Sequence, residues 1–270
     1  MICTVGDLLL DVVVRLEGPL AADTDAFGRA RVAPGGQAGN VAAWVVALGG
    51  RARAICKRAG DVAGRVLAEE LTRRGVDLRG PEAETGTGVV VSIATPDGRR
   101  SMLTDRGVAP SLEPRDLDPG WFAGCAWLHL PGYGLTASPL REAVTAAAGY
   151  ARSAGARVSV DLSSTAAIER AGAERFLVDV RALAPEVVFG NDEELALVPG
   201  LEAETVVAKR GARGCAIRRG GVAEERPALP ADVVDTTGAG DAFAAGFLVG
   251  GVETALAAAA RCVATMGAVP

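Results

Sequence analysis

Near the C-terminal end of the sequence stands Asp235-Thr236-Thr237-Gly238-Ala239-Gly240-Asp241, followed by the apolar run 242–248. Consecutive small residues here predict the start of a helix, where unpaired backbone N–H groups and the helix dipole attract an anion without any lysine. Asp241 falls in the first turn, where a carboxylate either only offsets the dipole or acts as a general base beside a bound phosphate. The segment therefore predicts a phosphate site made of backbone, with Asp241 as its candidate base.

A second glycine-rich segment, Pro34-Gly35-Gly36-Gln37-Ala38-Gly39-Asn40-Val41-Ala42, precedes another apolar helix. Paired glycines let a ligand approach the backbone closely, and the side chain of Asn40 both donates and accepts hydrogen bonds, as a sugar hydroxyl requires. Taken alone, the segment is equally typical of a tight turn packed against a sheet.

The two segments together resemble the signatures of the ribokinase-like (PfkB) family of carbohydrate kinases. The stretch 235–241 matches the family's D-T-x-G-A-G-D signature without a substitution, and 35–40 is similar to its amino-terminal signature. Weaker matches follow in the family's order at 60–64, 74–77, 191–194 and 209–214. The resemblance covers nearly the whole chain.

The resemblance implies roles for the matching residues. Asp241 would take the proton of the attacking sugar hydroxyl, and the anion hole would consist of Gly238, Ala239 and Gly240. The sugar side would consist of Asp7, Asp11, Gly35, Gly36 and Asn40.

The nucleotide side and the metal sites are implied in the same way. The nucleotide would be lined by Asn191, Lys209, Gly211 and Arg213. Glu194 of the N-x-x-E match would place Mg²⁺ through water, and Asp235 with the Thr237 carbonyl would form a monovalent-cation (K⁺) site. Ser163 stands where many relatives carry asparagine, so the magnesium network differs there.

Short β-branched runs alternate with Ala/Leu/Arg-rich helical segments, which predicts an α/β fold with a mostly parallel sheet covered on both faces. The predicted strands are Ile2–Leu10, Ala52–Cys56, Ala126–Leu130, Arg157–Asp161, Val187–Phe189, Thr205–Ala208, Cys215–Arg218 and Val222–Glu225. The predicted helices are Gln37–Leu48, Val62–Arg74, Ser138–Ala154, Ala173–Ala184 and Asp192–Val198. The resemblance makes this a ribokinase-like three-layer α/β/α sandwich, formed by residues 1–270 as one kinase domain.

Two segments, 12–33 and 86–105, interrupt the alternation. Val89–Thr95 and Arg100–Leu103 flank Pro96-Asp97-Gly98, and Asp-Gly favours a hairpin turn. We expect both segments to form a small projecting β-sheet that acts as a lid; irregular surface hairpins are the alternative. An apolar face on this sheet makes a homodimer through the lid a further expectation.

Composition excludes several classes of protein. The net charge of −5 disfavours nucleic-acid and membrane partners. Neither of the two lysines, Lys57 and Lys209, follows a glycine, so a P-loop is excluded. The single histidine, His129, rules out an HExxH site and is assigned a structural role. The five cysteines have no C-x-x-C spacing, no apolar run reaches 18 residues, and no signal peptide is recognised, so we expect a cytoplasmic protein with buried thiols.

The expected activity is transfer of the γ-phosphate of ATP, with Mg²⁺, to a primary hydroxyl of a small sugar or sugar acid. The ribose, fructose and 2-keto-3-deoxygluconate classes all stay open. A nucleoside kinase is the alternative within the same family, and a catalytically silent sugar- or nucleoside-binding protein is the alternative of another class. A dinucleotide oxidoreductase is disfavoured because the late Gly-Ala-Gly lacks the third glycine of G-x-G-x-x-G.

Overall fold

The computed structural model describes residues 1–20, 22–97 and 99–270. Within them lie eight helices: α1 Gln37–Ala47, α2 Val62–Arg73, α3 Leu140–Ser153, α4 Thr165–Ala171, α5 Ala173–Ala182, α6 Asp192–Ala196, α7 Ala239–Gly250 and α8 Val252–Val263. The described strands are β1 Ile2–Val5, β2 Leu9–Leu16, β3 Gly28–Gly35, β4 Ala52–Ile55, β5 Arg58–Ala59, β6 Asp77–Arg79, β7 Glu82–Ala83, β8 Gly88–Ala94, β9 Arg100–Asp105, β10 Trp127–Pro131, β11 Arg157–Asp161, β12 Val187–Asn191, β13 Thr205–Lys209, β14 Cys215–Arg219 and β15 Val222–Arg226.

The central sheet has nine strands in the order β15-β14-β13-β12-β11-β10-β1-β4-β6. The strands from β13 to β6 are parallel, and β14 and β15 add an antiparallel edge. Gly220 and Gly221 between β14 and β15 both have positive φ (56° and 83°), as a tight hairpin turn requires. The expected mostly parallel sheet with an antiparallel edge is confirmed.

Helices cover both faces of this sheet. One apolar core contains buried residues of α1, α2, α7 and α8, and the other contains buried residues of α3, α4 and α5. Trp44 is buried in the first core, and Phe122 and Phe176 are buried in the second. The three-layer α/β/α fold is thereby confirmed. The five cysteines are free and buried, as expected.

A second sheet of four strands has the order β3-β2-β8-β9. Its outer pairs are antiparallel and its central pair, β2 with β8, is parallel. The predicted single strand Ile2–Leu10 is wrong, because the chain leaves the central sheet after Val5 and enters the small sheet at Leu9. The unbroken apolar run Leu8-Leu9-Leu10 carries no signal for this change of sheet. The predicted turn at Asp97-Gly98 falls partly outside the described residues, at Gly98.

Sequence patterns missed three short strands and one helix. β5, β6 and β7 have two or three residues each, too few for a visible alternation. Helix α4 begins after Ser164, whose side chain accepts a hydrogen bond from the backbone N–H of Ala167. This Ser N-cap was the available signal.

The carboxyl ends of the parallel strands place three predicted site residues, Asp7, Asn191 and Lys209, at one edge of the sheet together with Asp161. Asp7 follows β1, while Asp161, Asn191 and Lys209 are the last residues of β11, β12 and β13. Ligands of open α/β sheets bind at this edge.

Candidate active site

Asp241 lies buried in the first turn of α7, with 6% of its surface exposed. Both carboxylate oxygens accept hydrogen bonds from the first turn of α1: Oδ1 from Gln37 Nε2 at 3.1 Å and Oδ2 from Asn40 Nδ2 at 2.8 Å. Burial raises the pKa of Asp241 to about 6; the amide of Asn40 lowers it, the nearby Asp161 raises it and Gln37 lowers it again. The carboxylate is therefore poised to exchange a proton near neutral pH, as a general base must.

The three small residues before Asp241 form the start of α7. Gly238 caps the helix in the left-handed conformation (φ 78°), and a Cβ there would lie 2.5 Å from the Cα of Ala268. Gly240 lies within the helix and has no positive φ, so Gly238 is the one left-handed glycine of this turn. A Cβ at Gly240 would lie 3.1 Å from Nζ of Lys209. The N–H of Ala239 donates to the Thr236 carbonyl at 3.3 Å, and the small side chains on either side of it leave room for an anion at the start of the helix.

Lys209 supplies a fixed positive charge beside this turn. Its Nζ lies 2.5 Å from Oδ2 of Asp161, which is completely buried. Burial alone would lower the pKa of Lys209, but the attraction of Asp161 and its hydrogen bond more than offset this, so the pKa is raised. Sequence reasoning placed Lys209 on the nucleotide side and missed Asp161, which lies two residues before Ser163. The backbone N–H of Ser163 donates to Oδ1 of Asp161 at 2.9 Å.

Among the residues expected to contact the sugar, Asp7 is buried and forms a bidentate ion pair with Arg106, with Nε–Oδ2 at 2.6 Å and Nη2–Oδ1 at 2.8 Å. The guanidinium also donates to the Thr136 hydroxyl and to the carbonyl of Tyr133. Arg106 follows β9 directly, so the pair fastens the small sheet to the edge of the central sheet. Arg106 was missed, since an arginine after a surface strand has no distinguishing pattern.

Asp11 lies on β2 and packs against Gly35. A Cβ at position 35 would lie 2.0 Å from Oδ1 of Asp11. At Gly36, with φ 82°, a Cβ would lie 2.4 Å from the carbonyl oxygen of Asp7. Both glycines are thus required by close packing of the turn on the two aspartates. Burial, followed by the charges of Asp241 and Asp235, raises the pKa of Asp11 to about 7.

Asn191 and Glu194 form a reciprocal capping box at the start of α6. Asn191 Oδ1 accepts from the Glu194 backbone N–H, while the Asn191 backbone N–H and Nδ2 donate to the two Glu194 oxygens, each bond being 2.7 to 2.9 Å long. Burial, and then the charge of Asp161, raise the pKa of Glu194. No cluster of three metal-ligating side chains occurs in the part of the chain that the structure describes. An oxygen-donor pair of this kind suits Mg²⁺ held through water and substrate phosphates, the usual mode for this cation.

The other predicted nucleotide and cation residues lie around this centre. Gly211 and Arg213 form a 3₁₀ turn after β13, and Arg213 is exposed and pairs with Asp192 at 3.0 Å. Asp235 accepts hydrogen bonds from the backbone N–H and hydroxyl of Thr237 through Oδ1, and from the Gly267 N–H through Oδ2. The Thr237 carbonyl faces the thiol of Cys262 at 3.4 Å.

Hydrogen bonds, ion pairs and close approaches thus connect the side chains of Asp241, Gln37, Asn40, Lys209 and Asp161 with the first turn of α7. Arg213 lies apart from them at the surface. The sequence analysis assigns no role to Gln37, although it belongs to the glycine-rich segment. His129 is buried beneath the site and its Nδ1 lies 3.0 Å from the hydroxyl of Ser159; burial lowers its pKa to about 4. These contacts favour a structural role.

A helix start of small residues beside a buried carboxylate, at the carboxyl edge of an α/β sheet, is typical of enzymes that transfer phosphate. The sequence matches the pfkB family carbohydrate kinase over residues 1–269. The chain belongs to this family and is a kinase of sugars or nucleosides.

Three similar proteins illustrate the family's range. The chain is 32% identical to a fructokinase of Klebsiella pneumoniae, covering 84% of this chain and 79% of that protein. It is 32% identical to an ATP-dependent ribose-1-phosphate kinase of Halopiger xanaduensis, covering 97% and 90%. The crystal structure of adenosine kinase from Sinorhizobium meliloti superposes with a TM-score of 0.88 at 27% identity, covering 100% of this chain and 95% of that one.

Proposed function

We propose that this protein transfers the γ-phosphate of ATP to a primary hydroxyl of a small sugar or sugar acid, with Asp241 as general base. The observation that carries the proposal is the position of Asp241. It is buried, has a pKa of about 6, and directly follows an unobstructed helix start that faces the ammonium group of Lys209.

In the proposed step, a carboxylate oxygen of Asp241 takes the proton of the sugar hydroxyl while the hydroxyl oxygen attacks the γ-phosphorus. The new P–O bond forms while the bond to the β-phosphate oxygen breaks, and ADP leaves with the electron pair. The N–H groups of Gly238 and Gly240 and the charge of Lys209 stabilise the negative charge on the transferring group. Little covalent chemistry is required, so positioning and electrostatics supply most of the rate.

Glu194 and Asn191 are the residues we assign to Mg²⁺, through water. When bound, the ion neutralises charge on the triphosphate. Both Glu194 oxygens already accept N–H groups of Asn191, and each keeps a second lone pair for a metal-bound water. We assign Lys209, Gly211 and Arg213 to the nucleotide, and Asp235 with the Thr237 carbonyl to K⁺.

The substrate hydroxyls would contact Asp7, Asp11, Asn40 and the turn at Gly35 and Gly36. The small sheet, segments 12–33 and 86–105, would close over them as a lid. A homodimer through this sheet is supported by the exposed side chains of Val32, Met102 and Leu103.

A nucleoside kinase is the second candidate. It is favoured by the likeness to the adenosine kinase of Sinorhizobium meliloti over the whole chain.

The test is release of ADP from ATP and Mg²⁺ with D-fructose, D-ribose, ribose-1-phosphate, 2-keto-3-deoxygluconate and adenosine in turn. We expect one of the sugars to give the highest kcat/KM. Preference for adenosine would make the protein a nucleoside kinase. Binding of a sugar by calorimetry without ADP release, under the same conditions, would make it a silent binding protein.

A further inference from the structure

The contacts of Asp241 fix the orientation of two amide side chains. An ionised carboxylate only accepts hydrogen bonds, so Gln37 and Asn40 must turn their NH₂ groups toward it. The distances of 3.1 and 2.8 Å agree with this assignment. Each amide oxygen then necessarily faces away from the base.

Neither of these amide oxygens finds a hydrogen-bond partner among the described residues. Gln37 Oε1 and Asn40 Oδ1 are both buried atoms, and Asn40 as a whole is only 5% exposed. A buried oxygen without a partner costs free energy, which a ligand that brings an O–H or N–H group recovers. The pair of oxygens thus marks where donors of a bound molecule belong.

We propose that Gln37 is a positioning residue for the base: its NH₂ group holds one oxygen of Asp241, and its amide oxygen accepts a second hydroxyl of the substrate. This inference rests on the proposed function and adds a requirement to it. The substrate must carry at least one donor besides the hydroxyl that is phosphorylated, so small polyols fit and simple alcohols do not.

The position of Gln37 explains why this side chain can serve both partners. It is the first residue of α1, directly after Gly36, whose left-handed backbone turns the chain into the helix. Helix α1 packs against α7, so the starts of both helices meet at the base. Asn40, one turn later, holds the other oxygen of Asp241.

The side chain of Gln37 shifts the pKa of Asp241 in a definite direction. The charged or titratable groups that face Asp241 are Asp161 on β11, Lys209 on β13, Asp11 on β2 and Cys262 on α8. The N–H donor of Gln37 favours the ionised carboxylate, so its removal raises the pKa of Asp241. A second carboxylate at position 37 raises it further.

The first experiment needs no substrate. The protein is labelled with ¹³C at its aspartate carboxyl groups, and the signal of Asp241 is assigned as the one that disappears in Asp241→Asn. An NMR titration then gives the pKa of Asp241 in wild type, Gln37→Met and Gln37→Glu. We expect an upward shift of about one unit in Gln37→Met and a larger one in Gln37→Glu. Gln37→Glu preserves side-chain size should Gln37→Met fail to fold.

Thr4→Val is the matched control. It removes another buried hydrogen bond to the first turn of α1, from the Thr4 hydroxyl to the Ala38 carbonyl at 2.9 Å, without touching Asp241. An unshifted pKa of Asp241 in both Gln37 variants, or an equal shift in Thr4→Val, would overturn the proposal.

The second experiment measures kinetics with D-fructose and ATP. For Gln37→Met we expect kcat to fall about tenfold and KM for fructose to rise about tenfold, with KM for ATP within about twofold of wild type. Equal loss for both substrates would indicate a merely structural role. If wild type prefers another sugar of the panel, that sugar replaces fructose in this experiment. If it phosphorylates none of them, the sugar-kinase assignment fails, whereas the titration still decides the role of Gln37.

Discussion

Burial raises the pKa of Asp241, and the two amide donors lower it. Burial has the larger effect, because the pKa lies near 6 instead of the 3.8 of a solvated aspartate. A carboxylate with this pKa is ionised at pH 7 and yet basic enough to take a hydroxyl proton as the P–O bond forms. The same residue in a solvated helix start would be only a favourable charge at the dipole.

Asp241→Asn should abolish transfer and leave the fold intact. Asparagine has the same shape but cannot accept the proton, so we expect kcat to fall by at least about 10². ADP release measures turnover, and calorimetry measures whether sugar binding is retained. Turnover within about tenfold of wild type would remove Asp241 from the role of base.

The pH profile should follow the same carboxylate. Only the ionised form accepts a proton, so kcat/KM should fall as the pH drops through about 6. Measurement of initial rates from pH 5 to 8, with folding checked by circular dichroism at each pH, tests this. A profile that stays flat down to pH 5 would contradict the raised pKa.

Lys209 and Lys57 form a natural comparison, because their side chains are 19% and 20% exposed. Lys209→Met should lower kcat/KM about 10²-fold, since the anion hole loses its fixed charge. It should also destabilise the fold by about 3–5 kcal/mol, because Asp161 stays buried without its partner. Lys57→Met, whose partners are Ser111 and Asp116, should leave kcat unchanged.

The double variant Lys209→Met/Asp161→Leu separates the two effects. Replacing both charges by apolar side chains should restore much of the stability. Activity should stay low, because no cation returns to the site. Recovery of activity in the double variant would show that Lys209 acts only through the fold.

At the scale of elements, the start of α7 depends on one left-handed glycine packed against the segment that follows α8. Gly238→Ala places a Cβ on a residue with φ 78° and 2.5 Å from the backbone of Ala268. Both the backbone conformation and the packing therefore disfavour alanine at this position. We expect a loss of stability above about 1 kcal/mol, seen as a lower Tm.

Gly240→Ala is the matched variant in the same turn. Its Cβ meets only the end of the Lys209 side chain at 3.1 Å, and no positive φ is involved. We expect Tm near wild type and reduced turnover, because the methyl group displaces the ammonium group and crowds the phosphate. A Tm loss equal to that of Gly238→Ala would contradict this distinction.

For the whole molecule, the small sheet is joined to the catalytic edge by the buried pair of Arg106 and Asp7. A sugar that binds between the two sheets gains contacts from both and shifts the population toward closure. We expect sugar to slow amide exchange in 12–32 and 86–104, and ATP alone to do so less. Exchange unchanged by a sugar that the enzyme phosphorylates would identify these segments as static hairpins.

No described helix is long and apolar enough to cross a bilayer. The residues of the candidate active site come from several separate segments of one fold: 37–40, 161, 209 and 238–241. Each is fixed by the end of a strand or the start of a helix. This arrangement brings Gln37 and Asp241, which are 204 residues apart in sequence, into hydrogen-bond contact.

The sequence by itself determined the fold class, most strand and helix positions and the candidate base, because these depend on patterns within a few neighbouring residues. Alternating β-branched and helical segments predict the parallel sheet, and the small residues at 238–240 predict an open helix start. The small sheet was anticipated from the same kind of pattern, through the alternation at 89–94.

Only the tertiary structure decided which side chains meet. Asp161 reaches Lys209 because β11, β12 and β13 are adjacent and parallel in one register. Arg106 reaches Asp7, and Gln37 reaches Asp241, across 99 and 204 residues of chain. The change of sheet between Val5 and Leu9 was likewise decided by the tertiary structure, because an apolar run fits either sheet. Register and packing of distant elements fix these contacts, and no local pattern encodes them.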